Sequence, residues 1–367
     1  MPLRALLNGS DILSFEMTTF NWNELRETYR NQELLMPCCG HKGIPKTSKL
    51  GTRFFAHSRR GACTSAPETK EHLQIKTILA LAAKKAGWSV TTEWRGETPS
   101  GEIWVADVFC TKGNVSVALE AQWSPQSDEE TRRRQVKYTE SGVRCAWFIK
   151  PARNKINVRY KNLITEERTP AFHVLKGATE GHYSVPEFNS SLGLFAENLM
   201  RGYIQWYPNE HSIFKAGIVR GSDICWRCKK KTYLVLGLIL YGPHGLPFQM
   251  MEFDLDGVPE LLLKHGFANM RTHGIGTIRQ RYSKTERRSY LSNGCVHCDA
   301  LQGNFFLQDL ISNYHYYGSG EVVEQLQVKN GEGIPMLRGM WRSIKKDVPD
   351  NDRYPSIMRP ITDDDFF

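Results

Sequence analysis

Two carboxylates and an amide in the first third of the chain have the spacing of a small catalytic site. Asp107 lies in WVADVF, and Glu120 and Gln122 lie in VSVALEAQW. The turn-rich stretch TKGN between them predicts a β-hairpin with Asp107 nearly opposite Glu120, provided that Ala106 and Val108 share the other face. Gln122 follows Glu120 by two residues, so both side chains leave one face. Burying them without partners is costly, which indicates that they hold something.

An acidic residue of the preceding stretch would join them. Glu71, in ETKEHLQIK, projects from a predicted helix that must pack on the hairpin, and Glu68 is the alternative. Three converging acids are unfavourable unless a cation neutralises them. Oxygen ligands favour a hard divalent cation, Mg²⁺ or Mn²⁺, which can activate water and stabilise charge on a phosphate. The alternative is that these acids face solvent beside arginines, as most single acidic residues do.

Two pairs of residues at helical spacing could contact a phosphate. His72 and Lys76 are one turn apart on the first helix, where they could touch a scissile phosphate or form ordinary surface. Arg134 and Tyr138 have the same spacing on a second helix, and the planar guanidinium of Arg134 suits a phosphate. We assign Arg134 and Tyr138 to nucleic-acid binding.

The elements that would position these residues follow in a simple order. A capping box, Ser65 with Glu68, predicts a helix that ends at Gly87. Three strands come next, WSVTTEW, IWVADVF and VSVALEAQW, followed by a helix capped by Ser127 and ended by Gly142, and then the strand VRCAWFIK. The last strand–helix–strand step implies a parallel pair. The pattern predicts an α/β domain.

This pattern resembles the PD-(D/E)XK nuclease superfamily and, more narrowly, the competence protein CoiA-like nuclease family. The segments that carry the resemblance are ETKEHLQIK, ADVF, LEAQWS, RQVKY and AWFIK, within about residues 30–150. It implies a restriction-endonuclease-like αβββαβ core in which Asp107 and Glu120 hold the metal and Gln122 takes the place of a lysine. A neutral amide can orient water or substrate only through hydrogen bonds, so Lys76 or His72 would have to supply a charge or a base.

Four cysteines in CWRC and CVHC predict a zinc site. Each CxxC turn aims two thiolates at one ion, and two such turns complete a closed Cys₄ site. The alternatives are a redox pair or buried thiols, but a chain without an apparent secretion signal favours metal. The basic stretch RYSKTERRSY between them could contact DNA or be an exposed hairpin. The predicted ligands are Cys225, Cys228, Cys295 and Cys298.

A second Cys/His-rich stretch, MPCCGHKGIPKTSKLGTRFFAHSRRGAC, departs from the arrangement typical of the CoiA-like family. Met36 and Phe54 stand where the first cysteine and first histidine of that arrangement would be. Two adjacent cysteines bind one ion only with strained geometry, so the second zinc is an open alternative here. Its candidate ligands are Cys38, Cys39, His57 and Cys63, with His41 in reserve.

The bulk composition fits a multidomain protein with polyanionic partners. The chain has 367 residues, a net charge of +9 and a pI near 9.0, which favours nucleic acid as partner. No signal peptide or membrane span is apparent, so we expect a cytoplasmic protein. The predicted divisions are 1–66, with short strands and the Cys/His-rich module; 67–150, the nuclease core; 151–220, a connection; 221–320, a zinc-ribbon-like α+β domain; and 321–367, a polar tail.

These observations predict a metal-dependent DNA endo- or exonuclease that acts in DNA uptake, recombination or defence, on single- or double-stranded DNA. The alternative is a non-catalytic DNA-binding or recombination-accessory protein that keeps the nuclease fold. The tail ending in TDDDFF could dock on a partner protein, although a frayed terminus is the simpler interpretation.

Overall fold

The computed structural model describes residues 2–58, 63, 68–151, 168–317 and 320–349 of a mixed α/β protein. The chain divides into two compact units, the first built mainly from Met1–Gln205 and the second mainly from Trp206–Gly339. No helix in the described ranges combines the length and apolarity that a membrane crossing requires.

Short elements open the first unit. They are β1 (Arg4–Leu7), β2 (Ser10–Leu13), α1 (Thr19–Thr28), a 3₁₀ turn (Tyr29–Asn31), β3 (Leu34–Leu35), β4 (Gly43–Thr47) and β5 (Arg53–His57). Within the Cys/His-rich module, β4 and β5 form an antiparallel hairpin. Phe55 of this hairpin is fully buried against Trp22, with ring centroids 5.5 Å apart. Packing on α1 therefore orders a segment with weak intrinsic strand signals.

The central part of the first unit has the predicted order of helix, three strands, helix and strand. Its elements are α2 (Lys70–Lys85), β6 (Ser89–Glu97), β7 (Ile103–Lys112), β8 (Val115–Gln122), α3 (Asp128–Glu140) and β9 (Arg144–Ile149). β6, β7 and β8 are antiparallel, and β9 is parallel to β8 as predicted. Leu79 of α2 packs with Leu119 on one face, and Tyr138 of α3 packs with Trp147 on the other.

The start of α2 differs from the prediction. The N-cap is Thr69, whose hydroxyl accepts a hydrogen bond from the His72 amide at 3.2 Å, rather than Ser65, which lies outside the described residues. Thr69 satisfies an amide at the helix start, so Glu68 precedes the helix instead of belonging to its first turn. The predicted helix ends are confirmed: Gly87 and Gly142 have φ of 83° and 67°, the left-handed conformation that glycine adopts readily.

The rest of the first unit packs on the α2 face of the sheet. The elements are β10 (Ala171–His173), β11 (Leu175–Lys176), β12 (Tyr183–Val185), a 3₁₀ turn (Pro186–Phe188), β13 (Ser190–Ser191), α4 (Leu192–Met200) and β14 (Ile204–Tyr207). β10 extends the sheet beside β9. Phe195 of α4 packs on Phe172, with centroids 4.7 Å apart. The helix α4 ends at Met200, and the chain continues as the strand β14 from Ile204.

The second unit is built on a four-stranded antiparallel sheet. Its elements are β15 (Ile213–Ile224), β16 (Lys231–Tyr241), β17 (Pro247–Glu252), α5 (Val258–Lys264), a 3₁₀ turn (Arg271–His273), β18 (Arg279–Ser283), β19 (Arg288–Gly294), β20 (Leu301–Gln302), α6 (Asn304–Tyr317) and β21 (Glu321–Lys329). The sheet order is β17-β16-β15-β21. Residues 234–240 of β16 are an unbroken buried run in this sheet.

A last strand, β22 (Met340–Ser343), lies within the predicted polar tail 321–367. Residues 350–367, including TDDDFF, lie outside the described residues.

Candidate functional site

Asp107 lies at a break in the alternation of β7. Trp104 and Ala106 are buried on the α3 side of the sheet, whereas Val108 and Cys110 are buried on the α2 side. Ala106 and Val108 therefore do not share a face, contrary to the expectation, because the strand changes its alternation at Asp107. The Asp107 carboxylate accepts a hydrogen bond from the Ala121 amide at 2.9 Å, which fixes it across β8.

Asp107 converges with two residues from the start of α2. Ligand atoms of Glu68, His72 and Asp107 all lie within 4.8 Å of one another. His72 Nε2 is 3.2 Å from Asp107 Oδ2, and His72 Nδ1 is 3.9 Å from Glu68 Oε1. The structure thus brings Glu68 to Asp107, because the chain turns into α2 at Thr69. Glu71 instead pairs with Lys176, with 3.2 Å between Oε1 and Nζ.

Lys76 is the fully buried centre of this acidic cluster. Its Nζ donates to Glu68 Oε1 at 2.8 Å and to Glu93, and it lies 3.7 Å from Asp107 Oδ1. Sequence reasoning missed Glu93, which is in the strand WSVTTEW. Its φ of 48° turns a strand residue into the left-handed region, and nothing in the residue type announces that conformation.

The charges of the acidic cluster fix its protonation. Burial alone would lower the pKa of Lys76, but Glu93, Glu68 and Asp107 raise it well above its usual value. Burial would raise the pKa of Asp107, yet His72 and Lys76 hold it below its usual range. Lys76 is therefore an ammonium ion at neutral pH and cannot act as a base, so it compensates negative charge instead.

His72 is the member of the cluster that can exchange protons. Its side chain is 20% exposed, whereas Lys76 has no exposure. Burial would lower the pKa of His72, but Asp107 raises it above its ordinary value. Three carboxylates, those of Glu68, Glu93 and Asp107, surround one permanent cation, Lys76. Among these five described side chains, negative charge exceeds positive charge whether or not His72 is protonated.

Glu120 occupies the opposite face of the sheet. Its buried carboxylate accepts hydrogen bonds from Arg134 and from the Tyr138 hydroxyl, both on α3. Gln122 shares this face as predicted: its Oε1 accepts from Arg134 at 3.4 Å, and its Nε2 donates to the Ser124 carbonyl at 2.6 Å. Glu120 is not a member of the group formed by Glu68, His72 and Asp107.

Burial and pairing pull the pKa of Glu120 in opposite directions. Burial raises it, Arg134 opposes that effect, and Asp107 adds to it, so the pKa is raised overall. Burial would lower the pKa of Arg134, but Glu120 raises it. The guanidinium also lies over the Trp147 ring, 5.0 Å from its centroid, which is a favourable cation–π position. Glu120 and Arg134 thus form an ion pair that connects β8 to α3.

The four cysteines of the two CxxC turns come together in the second unit. The Sγ atoms of Cys225 and Cys298 are 3.7 Å apart, as are those of Cys228 and Cys295. A tetrahedral zinc ion with Zn–S bonds of about 2.3 Å would separate its sulfur ligands by about 3.8 Å. These residues could hold a metal ion, and the donor set and spacing fit zinc.

The cysteine and histidine candidates of the first unit also form a group. Cys38 Sγ is 3.3 Å from His57 Nε2, 3.8 Å from Cys39 Sγ and 3.7 Å from Cys63 Sγ. The adjacent cysteines therefore both reach one position. Burial raises the pKa of Cys38 to about 12 when no cation is beside it, so a bound cation would favour the thiolate.

Two neighbouring residues take other roles. Met36, at the position where a family cysteine would stand, is fully buried in the core beside Trp22. His41 is outside the cysteine–histidine group, and its Nδ1 lies 3.2 Å from the Cys39 carbonyl oxygen.

Comparison with known proteins finds a family whose model is similar to the αβββαβ segment. No curated protein matches the chain. The matched segment, residues 68–191, starts later than the resemblance in the sequence, which began at about residue 30, and it extends through β13. It contains every residue of the acidic cluster and the Glu120–Arg134 pair. Residues 68–191 match the family described as competence protein CoiA, nuclease-like domain.

Proposed function

We propose that the chain is a nuclease that hydrolyses phosphodiester bonds in DNA with a divalent cation, Mg²⁺ or Mn²⁺, and that it acts in DNA uptake, recombination or defence. One observation carries the proposal. Within the segment that matches a nuclease-like family, three carboxylates and a histidine converge around the ammonium group of Lys76, and among these described side chains negative charge exceeds positive charge. A divalent cation would remove this excess of charge, and oxygen ligands suit a hard cation.

Asp107 is the residue around which the proposed site is arranged. Its two oxygens are held by the Ala121 amide, by His72 and at longer range by Lys76. Glu68 is the second acid on the same side of the sheet. A bound divalent cation would activate a water molecule and stabilise charge on the phosphate. His72, partly exposed beside Asp107, is placed to hold or release the proton.

Lys76 supplies the positive charge that Gln122 lacks. The amide of Gln122 is bonded to Ser124 and Arg134, whereas the Lys76 ammonium lies 3.7 Å from Asp107. Both the lysine of a PD-(D/E)XK site and Lys76 here place a cation beside a metal-binding carboxylate. The difference is that Lys76 comes from α2 rather than from the third strand. We propose a restriction-endonuclease-like core on this basis.

A second candidate function rests on Glu120. The expected ligand pair is Asp107 and Glu120, yet both oxygens of Glu120 already accept hydrogen bonds from α3. If the ion pair between Arg134 and Glu120 persists in the presence of divalent cations, the chain would be a DNA-binding or recombination-accessory protein. For the nuclease function, we propose instead that Arg134 leaves Glu120 and contacts the phosphate when the cation binds.

Cleavage assays separate the two functions. Labelled single-stranded and double-stranded DNA are incubated with Mg²⁺ or Mn²⁺ and with wild-type protein, Asp107→Asn or Glu120→Gln. Glu140→Gln, an exposed acid at the end of α3, is the matched control. Cleavage by the wild type and the control, and its loss in Asp107→Asn, supports the nuclease. Binding without cleavage under every cation supports the accessory function.

Zinc at the two cysteine groups completes the proposal. Cys225, Cys228, Cys295 and Cys298 would hold a structural ion in the second unit, and Cys38, Cys39, His57 and Cys63 would hold another in the first unit. The sulfur separations of 3.7 to 3.8 Å support both sites.

A further inference from the structure

Three large aromatic side chains of the second unit are exposed beside the first CxxC turn. Trp226, which lies between Cys225 and Cys228, is 59% exposed. Phe305 and Phe306, in the first turn of α6, are 82% and 65% exposed. We call Trp226, Phe305 and Phe306 the aromatic patch. Scattered exposed apolar residues are ordinary, but a contiguous group of rings marks an interaction site.

The three rings of the aromatic patch lie around residues 301–303. The Trp226 indole nitrogen donates to the Leu301 carbonyl at 2.7 Å, which fixes the ring over β20. A Cβ atom at Gly303 would lie 3.8 Å from both Leu301 and Phe306 side chains, so these two flank the glycine. Phe305 and Phe306 meet edge to face with centroids 5.5 Å apart. The indole N–H is used within the protein, while more than half of the ring remains accessible.

Cations surround the same turn. The residues from Cys225 to Lys231 read CWRCKKK, with four basic residues and no acidic one. The side chains of these four basic residues are exposed. We call Arg227, Lys229, Lys230 and Lys231 the knuckle cations.

The combination of rings and cations identifies one class of partner. The centres of protein–protein interfaces are rich in aromatic residues but poor in lysine. Surfaces for single-stranded nucleic acid combine both, because lysine and arginine follow the phosphates while unpaired bases stack on the rings. Bases within a duplex are already stacked on each other and offer the rings no face.

We propose that the aromatic patch and the knuckle cations form a binding site for single-stranded nucleic acid, separate from the acidic cluster. The inference deepens the proposed function and rests on it only in taking nucleic acid as the partner. In this site Phe305 and Phe306 stack on successive bases, Trp226 stacks on a third, and the knuckle cations contact the phosphates.

Fluorescence anisotropy with the full chain tests the site. The probe is a labelled oligothymidylate of about 20 nucleotides, in zinc-containing buffer without Mg²⁺ or chelator, so binding is measured without cleavage. The integrity of the probe is checked on a gel. A hairpin duplex with the same number of nucleotides is the second probe. Phe305→Ala and Phe306→Ala are the main variants, because neither lies in the CxxC turn, and Phe20→Ala, a 76% exposed ring in α1, is the matched control.

Each of the two variants should weaken binding of the oligothymidylate by roughly 5- to 100-fold, and Phe20→Ala should leave it unchanged. The double variant Lys229→Gln/Lys230→Gln should reduce the slope of log K against log salt by about 1.4, since each phosphate contact to a single strand contributes about 0.7. The exposed pair Lys46→Gln/Lys49→Gln is its control.

Two results would overturn the site: binding of the oligothymidylate that is unchanged in both Phe305→Ala and Phe306→Ala, or equal affinity of the wild type for the duplex. Circular dichroism and zinc content show that the variants are folded. Because this binding requires no divalent cation, its failure is distinct from a failure of the cleavage assay.

Discussion

The ammonium group of Lys76 lies 3.7 Å from the Asp107 carboxylate and is fully shielded from solvent. It also contacts Glu68 and Glu93, so a single cation from α2 offsets three acids. Buried charges of this kind persist only when each has partners.

Lys76→Gln should therefore destabilise the first unit. The change removes the buried cation that lies within 4 Å of all three carboxylates, and breaking a buried pair in this way costs about 3–5 kcal/mol. Lys84→Gln, on the same helix, breaks the partly exposed pair with Glu16 and should cost below about 1 kcal/mol. Urea unfolding followed by circular dichroism measures both, and equal stability of the two variants would contradict a buried, charged Lys76.

Glu68 and Glu71 allow a direct comparison of two acids near the start of α2. Glu68 belongs to the group with His72 and Asp107, and Glu71 pairs with Lys176 outside it. If the proposed function holds, Glu68→Gln should lower cleavage by about 10- to 100-fold, the range seen when a group that supports a metal site is removed. Glu71→Gln is the matched control and should retain cleavage. A larger loss in Glu71→Gln than in Glu68→Gln would show that Glu71, and not Glu68, is the acid of the site.

The Glu120–Arg134 pair predicts a specific dependence of stability on pH. The pKa of Glu120 is raised in the folded protein, so the folded state binds this proton more tightly than the unfolded state does. Its contribution to stability is therefore present below the unfolded pKa and is lost as pH rises through the folded pKa. Arg134→Ala removes the cation that opposes the rise in the pKa of Glu120. The pH range in which protonated Glu120 contributes to stability therefore extends to higher pH.

Urea unfolding of Arg134→Ala and of the wild type, from below the unfolded pKa of Glu120 up to neutral pH, measures this dependence of stability on pH. The variant should be less stable by about 3–5 kcal/mol near neutral pH, since a buried carboxylate is left unpaired. The deficit should shrink as pH falls and Glu120 becomes protonated. Arg133→Ala, which breaks an exposed pair with Glu130, is the control and should show little dependence on pH. A deficit of Arg134→Ala that is constant with pH would mean that Glu120 is not the titrating group.

The order of elements around the acidic cluster was predictable because it depends on local signals. Apolar alternation, the Ser127 cap and glycines at positive φ all act within a few residues. The position of Glu68 was harder to predict, because serine and threonine both cap helices, so the sequence alone does not decide between Ser65 and Thr69, whereas the structure has Thr69 as the N-cap. Glu93 could not be found, since its role depends on a backbone conformation that pattern rules do not detect.

Zinc content tests the two cysteine groups independently. The wild type should bind two zinc ions per chain if both proposed sites fill, and Cys228→Ser and Cys38→Ser should each remove one, because a closed site loses affinity when a thiolate is replaced by a weak ligand. Cys110→Ala, a buried cysteine in the core against α2, is the control for loss of a thiol without loss of a ligand. Metal analysis after dialysis gives the counts. Two ions in Cys38→Ser would show that the sulfur group of the first unit is not a zinc site, whereas one ion in the wild type, retained in Cys38→Ser and lost in Cys228→Ser, would restrict zinc to the second unit.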